Sequence, residues 1–138
     1  MADVVKLRDR TPDSEKITIN LGYVDLGRID LLVQEGFYSN RSDFIRTAIR
    51  NQLDTHAASV TQTIERHTME LGLRDYTAAD LGALRDAGEV LHVRVVGLAR
   101  IAADVTPELA RQTIGSITVL GALQASREVK AALADRIH

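Results

Sequence analysis

Lys16, Thr18 and Asn20 alternate with Ile17, Ile19 and Leu21 in the run KITINL. The three polar side chains share one chemistry. A lysine ammonium reaches guanine acceptors or a phosphate, an asparagine amide can bond adenine through two atoms, and a threonine offers a hydroxyl and a methyl group. They can act together only if one surface presents them together. Strict alternation is the period-two signature of a strand with one apolar face, so residues 16–21 are expected to form such a strand, ended by Gly22.

The elements that follow must hold that strand in place. Residues 24–35 carry Leu26, Ile29, Leu32 and Val33 at helical spacing, with Gly36 where a helix C′ residue belongs. Ser39 is expected to cap a second helix from Asn40 to about Asp54, with the stripe Phe44, Ile45, Ala48, Ile49 and Leu53. Arg46 and Arg50 lie four apart on its other face and read as a solvated surface. A single strand is not stable alone. Ile17, Ile19 and Leu21 lack partner surface within so short a segment, and a second copy supplies it. Two strands then pair antiparallel about a two-fold axis above four helices, with Lys16, Thr18 and Asn20 displayed twice. Such a ribbon fits the DNA major groove, and the free N–H groups at the start of the second helix suit a phosphate.

The stretch KITINLGYVDLGRIDLLVQEGFYSNRSDFIRTAIRNQL resembles the ribbon-helix-helix superfamily of the Arc, MetJ and CopG repressors, and CopG-type members and related antitoxin DNA-binding domains most of all. The features it shares are the polar–apolar strand ending in Leu21, the helix closed near Gly36, and the opening Ser39-Asn40-Arg41-Ser42-Asp43-Phe44-Ile45-Arg46 of the second helix. The resemblance implies an obligate dimer that binds double-stranded DNA. It assigns base contacts to Lys16, Thr18 and Asn20, phosphate contacts to Ser39, Asn40, Arg41 and Ser42, and a dimer core to Ile17, Ile19, Leu21, Phe44, Ile45 and Ile49. Asp43 in the first turn suits the helix dipole but repels a nearby phosphate.

Bulk charge argues mildly the other way. The 138 residues hold 17 Lys and Arg against 19 Asp and Glu, a formal net charge of −2. Residues 1–54 contain eight basic and nine acidic side chains. Since phosphate neutralisation drives affinity, modest binding per dimer is expected, with specificity and cooperativity compensating. With 4% aromatics and no Trp, the core must come from Leu, Ile, Val and Ala. No apolar run reaches the ~18 residues that span a bilayer, and MADVVKLRDR carries no signal segment, so a cytoplasmic protein without membrane partners is expected. The absence of Cys removes thiolate chemistry. His56, His67, His92 and His138 have no second ligand at short spacing, so no metal is expected, although a nickel-responsive ribbon-helix-helix regulator has a similar length. No Ser-His-Asp order, HExxH, phosphate-binding glycine loop or acid pair stands out, so no catalytic residue and no cofactor are assigned.

The fold class expected is mainly α with α+β. It comprises a flexible arm at 1–15 (with Lys6, Arg8 and Arg10), a ribbon-helix-helix unit at 16–56, a helical connector at 57–88 and an α+β region at 89–138. Helix is expected across 55–72, with a break near His56 as an alternative, and across AADLGALRDA between a Thr77 cap and Gly88. VLHVRVVGLARI and SITVLGALQA read as strands, while Thr106-Pro107 and Ser126 read as helix starts. Sliding 91–114 onto 115–138 aligns Val95 with Val119, Gly97 with Gly121 and Asp104 with Glu128, a candidate strand–helix repeat. A short β-solenoid and a small α+β layer both fit. The expected function is a sequence-specific DNA-binding regulator whose C-terminal region oligomerises or responds to an effector. An antitoxin, or an assembly protein that uses the ribbon only to dimerise, are the alternatives.

Overall fold

The computed structural model describes residues 14–138. Among them are six helices and a three-stranded parallel sheet, a mixed α+β chain that divides into two compact units between Ala58 and Ser59. No helix among the described residues is long and apolar enough to cross a membrane. The arm expected at 1–15, with Lys6, Arg8 and Arg10, lies almost wholly outside the described residues.

In the first unit, α1 (Tyr23–Gln34) ends in a Schellman turn. Gly36 takes φ +85, its N–H donates to Val33 O, and the Phe37 N–H donates to Leu32 O. A left-handed C′ position is the reason for a glycine there. Helix α2 (Arg41–Thr55) begins one residue later than expected, because Asn40 and not Ser39 is its cap. The helix stops at His56, and α3 (Ala57–His67) follows. Residues 16–21 form no strand among the described residues, since a strand needs a hydrogen-bonded neighbour and no described residue supplies one there. Ile29 is the sole buried residue among the described residues of this unit, and α2 buries none of its own.

The second unit has its own core. Strands β1 (Glu70–Tyr76), β2 (Leu91–Ile101) and β3 (Ile114–Gln124) lie in the order β1-β2-β3, all parallel. Helices α4 (Ala78–Asp86), α5 (Pro107–Thr113) and α6 (Arg127–Ala132) alternate with them. Each helix starts at a hydroxyl cap: Thr77 accepts from Asp80 N–H, Thr106 from Leu109 N–H and Ser126 from Val129 N–H. Val93, Val95, Ala99 and Ile101 of β2 pack with Leu81, Leu109, Val129 and Leu133 from the helical side. The helices therefore cover the face carrying the odd-numbered β2 residues.

The helix expected over 55–72 stops at His67. Thr68 turns the chain at φ 54, and Glu70–Tyr76 is a strand paired with Val95–Ile101. Residues 57–88 are therefore more than a helical connector, because β1 is the third strand of the C-terminal sheet and α4 contributes Leu81 to its core. The short apolar alternation Leu71, Leu73 was masked by the helical reading of its flank. The 24-residue offset of the candidate repeat is the β2–β3 register itself: Val95 pairs with Val119 and Gly97 with Gly121. Asp104 and Glu128 do not share a role. Asp104 accepts from the Ala78 N–H at 3.1 Å, bracing the start of α4, while Glu128 sits in the first turn of α6.

Candidate nucleic-acid interface

Lys16, Thr18 and Asn20 are all exposed. So are the alternating apolar residues, with Ile17 at 71%, Ile19 at 55% and Leu21 at 38% of full accessibility. Within one chain the segment thus keeps its polar face exposed and leaves its apolar face only partly covered.

Beneath that segment the two helices form an open apolar groove of about 580 Å³. Ile19 and Leu21 line it together with Ile29, Phe44, Ile45 and Ile49. Five of the six residues expected in a dimer core therefore meet at one cleft, and Ile17 alone is not among its lining. Ile49 is 47% exposed, so the groove is open to solvent on the side that it lines.

The start of α2 is fixed by three local interactions. The Asn40 side-chain oxygen accepts from the Asp43 N–H at 2.8 Å, and the Ser39 N–H donates to an Asp43 carboxylate oxygen at 2.9 Å. The Tyr38 and Phe44 rings meet edge to face, with centroids 5.0 Å apart and planes at 86°, which sets the angle at which the chain enters the helix. Of the four residues expected at phosphate, Ser39 and Asn40 spend a backbone donor and a side-chain acceptor on the cap. The first N–H groups of a helix have no intrahelical acceptor, so those of Arg41 and Ser42 remain available to an anion.

Arg41 has a partner that sequence reasoning did not assign. Its Nε and Nη2 donate to the two carboxylate oxygens of Asp30 in α1, each at 2.8 Å. Hydrogen bonding from Arg41 holds the Asp30 carboxyl below the usual carboxylate range, and the carboxylate keeps the guanidinium firmly protonated. Both side chains are about half exposed, so this fork orients Arg41 more than it stabilises the fold. Residues eleven apart on different helices leave no periodic signal by which the pair could be read.

The histidines do not converge. The His92 Nδ1 lies 2.8 Å from the Ser116 hydroxyl across β2 and β3, and His56 closes α2 beside Gln52. Among the described residues no three His, Asp or Glu side chains are grouped so as to hold a metal ion.

A sequence profile of the ribbon-helix-helix transcriptional regulator family matches residues 12–130. No curated protein and no solved structure matches the chain.

Proposed function

The chain belongs to the ribbon-helix-helix transcriptional regulator family, and from that membership we propose that it is a homodimeric repressor that reads the DNA major groove with a two-stranded ribbon built from residues 16–21 of two copies. The observation that carries this reading is the mismatch between cover and exposure in the first unit. The described residues of this unit, two helices and one unpaired segment, bury a single side chain, while Ile19, Leu21 and Ile49 stand open around one groove. Apolar burial supplies about 25 cal/mol per Å², and a segment with so little of it needs a second copy to be stable. Antiparallel pairing of the two segments closes the groove of each chain with the apolar side of the ribbon. Lys16, Thr18 and Asn20 of both copies then face outward as the base-reading surface.

Phosphate contacts in this reading fall at the start of α2. The N–H groups of Arg41 and Ser42 and the positive end of the helix face the backbone. The Arg41 guanidinium, already oriented by Asp30, exchanges or shares that carboxylate with a phosphate. Ser39 and Asn40 hold the cap in shape, which makes their role chiefly one of positioning. The antitoxin alternative is weakened by the second unit, since a tail that folds on its toxin is polar, whereas residues 76–133 contain a packed core.

The test uses DNA fragments selected by the wild-type protein from a random pool. Lys16→Ala combined with Asn20→Ala is expected to abolish gel-shift binding to those fragments while the dimer mass in sedimentation stays the same. A folded double variant that binds them with undiminished affinity refutes the assignment.

A further inference from the structure

The three strands of the second unit share one unusual feature. Gly72, Gly97 and Gly121 sit side by side in register and all have positive φ, at 127, 136 and 119. A side chain at Gly121 would run into the carbonyl oxygen of Gly97, and one at Gly97 into that of Gly72. The Cβ positions of Gly97 and Gly121 are therefore each blocked by the backbone of the strand before them. At Gly72 the same position is open space, on the free edge of β1.

The edge is otherwise suited to pairing. β1 contains no Pro, and the charges that it carries, Glu70, Arg74 and Asp75, are of both signs, so they do not simply repel a second copy as a row of like charges would. Leu71 is 69% exposed and Leu73 50%. The opposite edge of the sheet is partly occupied. The Ile117 N–H donates to Arg136 O and the His138 N–H to Ile117 O, both at 2.8 Å. Arg136 is in turn tied by its guanidinium to the carbonyls of Arg111 and Ile114. Head-to-tail growth of β1 onto β3 is thus obstructed at the start of β3, whereas no described residue pairs with the outer edge of β1.

Only one register of such a pairing sets glycine against glycine. With Gly72 opposite Gly72, Glu70 faces the partner's Arg74 and Leu71 faces the partner's Leu73, and each pair occurs twice. These charges already attract one another, since Glu70 and Arg74 form an ion pair within β1. A two-fold interface must be self-complementary, and opposite charges across antiparallel strands stabilise the pair while like charges oppose it.

We propose that β1 of one chain pairs antiparallel with β1 of a second copy, centred on Gly72, joining two three-stranded sheets into one of six strands. This contact is independent of the DNA-binding reading and lies in the other unit.

The chain has no cysteine, so introduced thiols report cleanly. In the full-length protein, Leu71→Cys combined with Leu73→Cys is expected to give, on mild oxidation, an interchain disulfide that peptide mapping assigns to position 71 of one chain and 73 of the other. Opposed residues in an antiparallel pair lie within disulfide reach. A Leu120→Cys control, on β3, is expected to link poorly. Absence of an interchain link, a 71–71 or 73–73 link, or equal linking at position 120 overturns the proposal. Because apolar-to-thiol changes can loosen a strand, charge reversal gives a second measure in the same background. Arg74→Glu alone is expected to weaken linking about tenfold through two like-charge pairs. Coexpression of the Arg74→Glu chain with a Glu70→Arg chain is expected to restore it in mixed dimers, although neither chain can then form its own Glu70–Arg74 pair. Failure of the mixed pair to recover overturns the proposal as well.

Discussion

At the scale of single residues, Asp30 controls the most useful cation near the proposed phosphate contacts. Its carboxylate holds Arg41 by two hydrogen bonds of 2.8 Å, and its charge lies close to where a phosphate would approach. Asp30→Asn removes a competitor and a repulsive charge, so DNA affinity should rise several-fold, with a steeper salt dependence as Arg41 engages phosphate. Gel shifts across a salt series measure both. A folded variant with weaker binding would mean that Asp30 serves mainly to aim the guanidinium. The pH dependence has a definite sign. A carboxyl whose folded pKa is lowered contributes stability above its ordinary pKa and loses it as pH falls through the lowered value. The ion pair should therefore survive mild acid and fail only below the usual carboxylate range, and its exposure keeps the effect on stability small. The cap beside it was legible in the sequence only to within one residue. Asn40 stands three positions before Asp43 and accepts from its backbone N–H, the spacing that a cap and its N3 partner require, whereas Ser39 stands four before it and donates its own N–H to the Asp43 carboxylate.

At the scale of elements, the glycine row makes the sheet of the second unit intolerant in a specific way. Gly97→Ala must place a Cβ against the backbone of Gly72 and also hold φ near +136, so a loss of more than about 2 kcal/mol is expected from strain and displaced pairing together. Gly82→Ala is the counterpart, because its Cβ meets nothing closer than the end of Arg85 at 4.0 Å inside α4. There a gain of about 0.5–1 kcal/mol is expected from helix propensity. Urea denaturation of both variants checks the pair, and equal effects would contradict the row. Sequence periodicity exposed much of this unit. The caps Thr77, Thr106 and Ser126 and both long strands could be read directly, because each is encoded within a few residues. The offset that aligned Gly97 with Gly121 was visible because parallel strands in register place equivalent residues at equal spacing. Gly72 escaped the same alignment because β1 pairs with β2 at an offset of 25 and not 24, and because residues 57–67 before it are helical.

At the scale of the whole molecule, the two units differ in where their stability comes from, and cutting the chain between Ala58 and Ser59 should expose the difference. The second unit buries Leu81, Val93, Val95, Ile114, Ile117 and Leu133 within one chain. A fragment of residues 59–138 should therefore keep a cooperative thermal transition even at low micromolar concentration. The first unit buries only Ile29 among its described residues. In the proposed dimer its remaining apolar surface is covered by another chain, so a fragment of residues 1–58 should be folded as a dimer and unfolded as a monomer. Dissociation and unfolding are then one event, and the midpoint must rise with protein concentration by mass action. Circular dichroism melts over a hundredfold range of concentration, with sedimentation at the ends of that range, separate the cases. A 1–58 fragment that melts at one temperature throughout, or that stays helical as a monomer, would show that two helices and an unpaired segment are sufficient by themselves. The reason to place a second copy over Ile19, Leu21 and Ile49 would then be gone, and with it the ribbon on which Lys16, Thr18 and Asn20 are displayed.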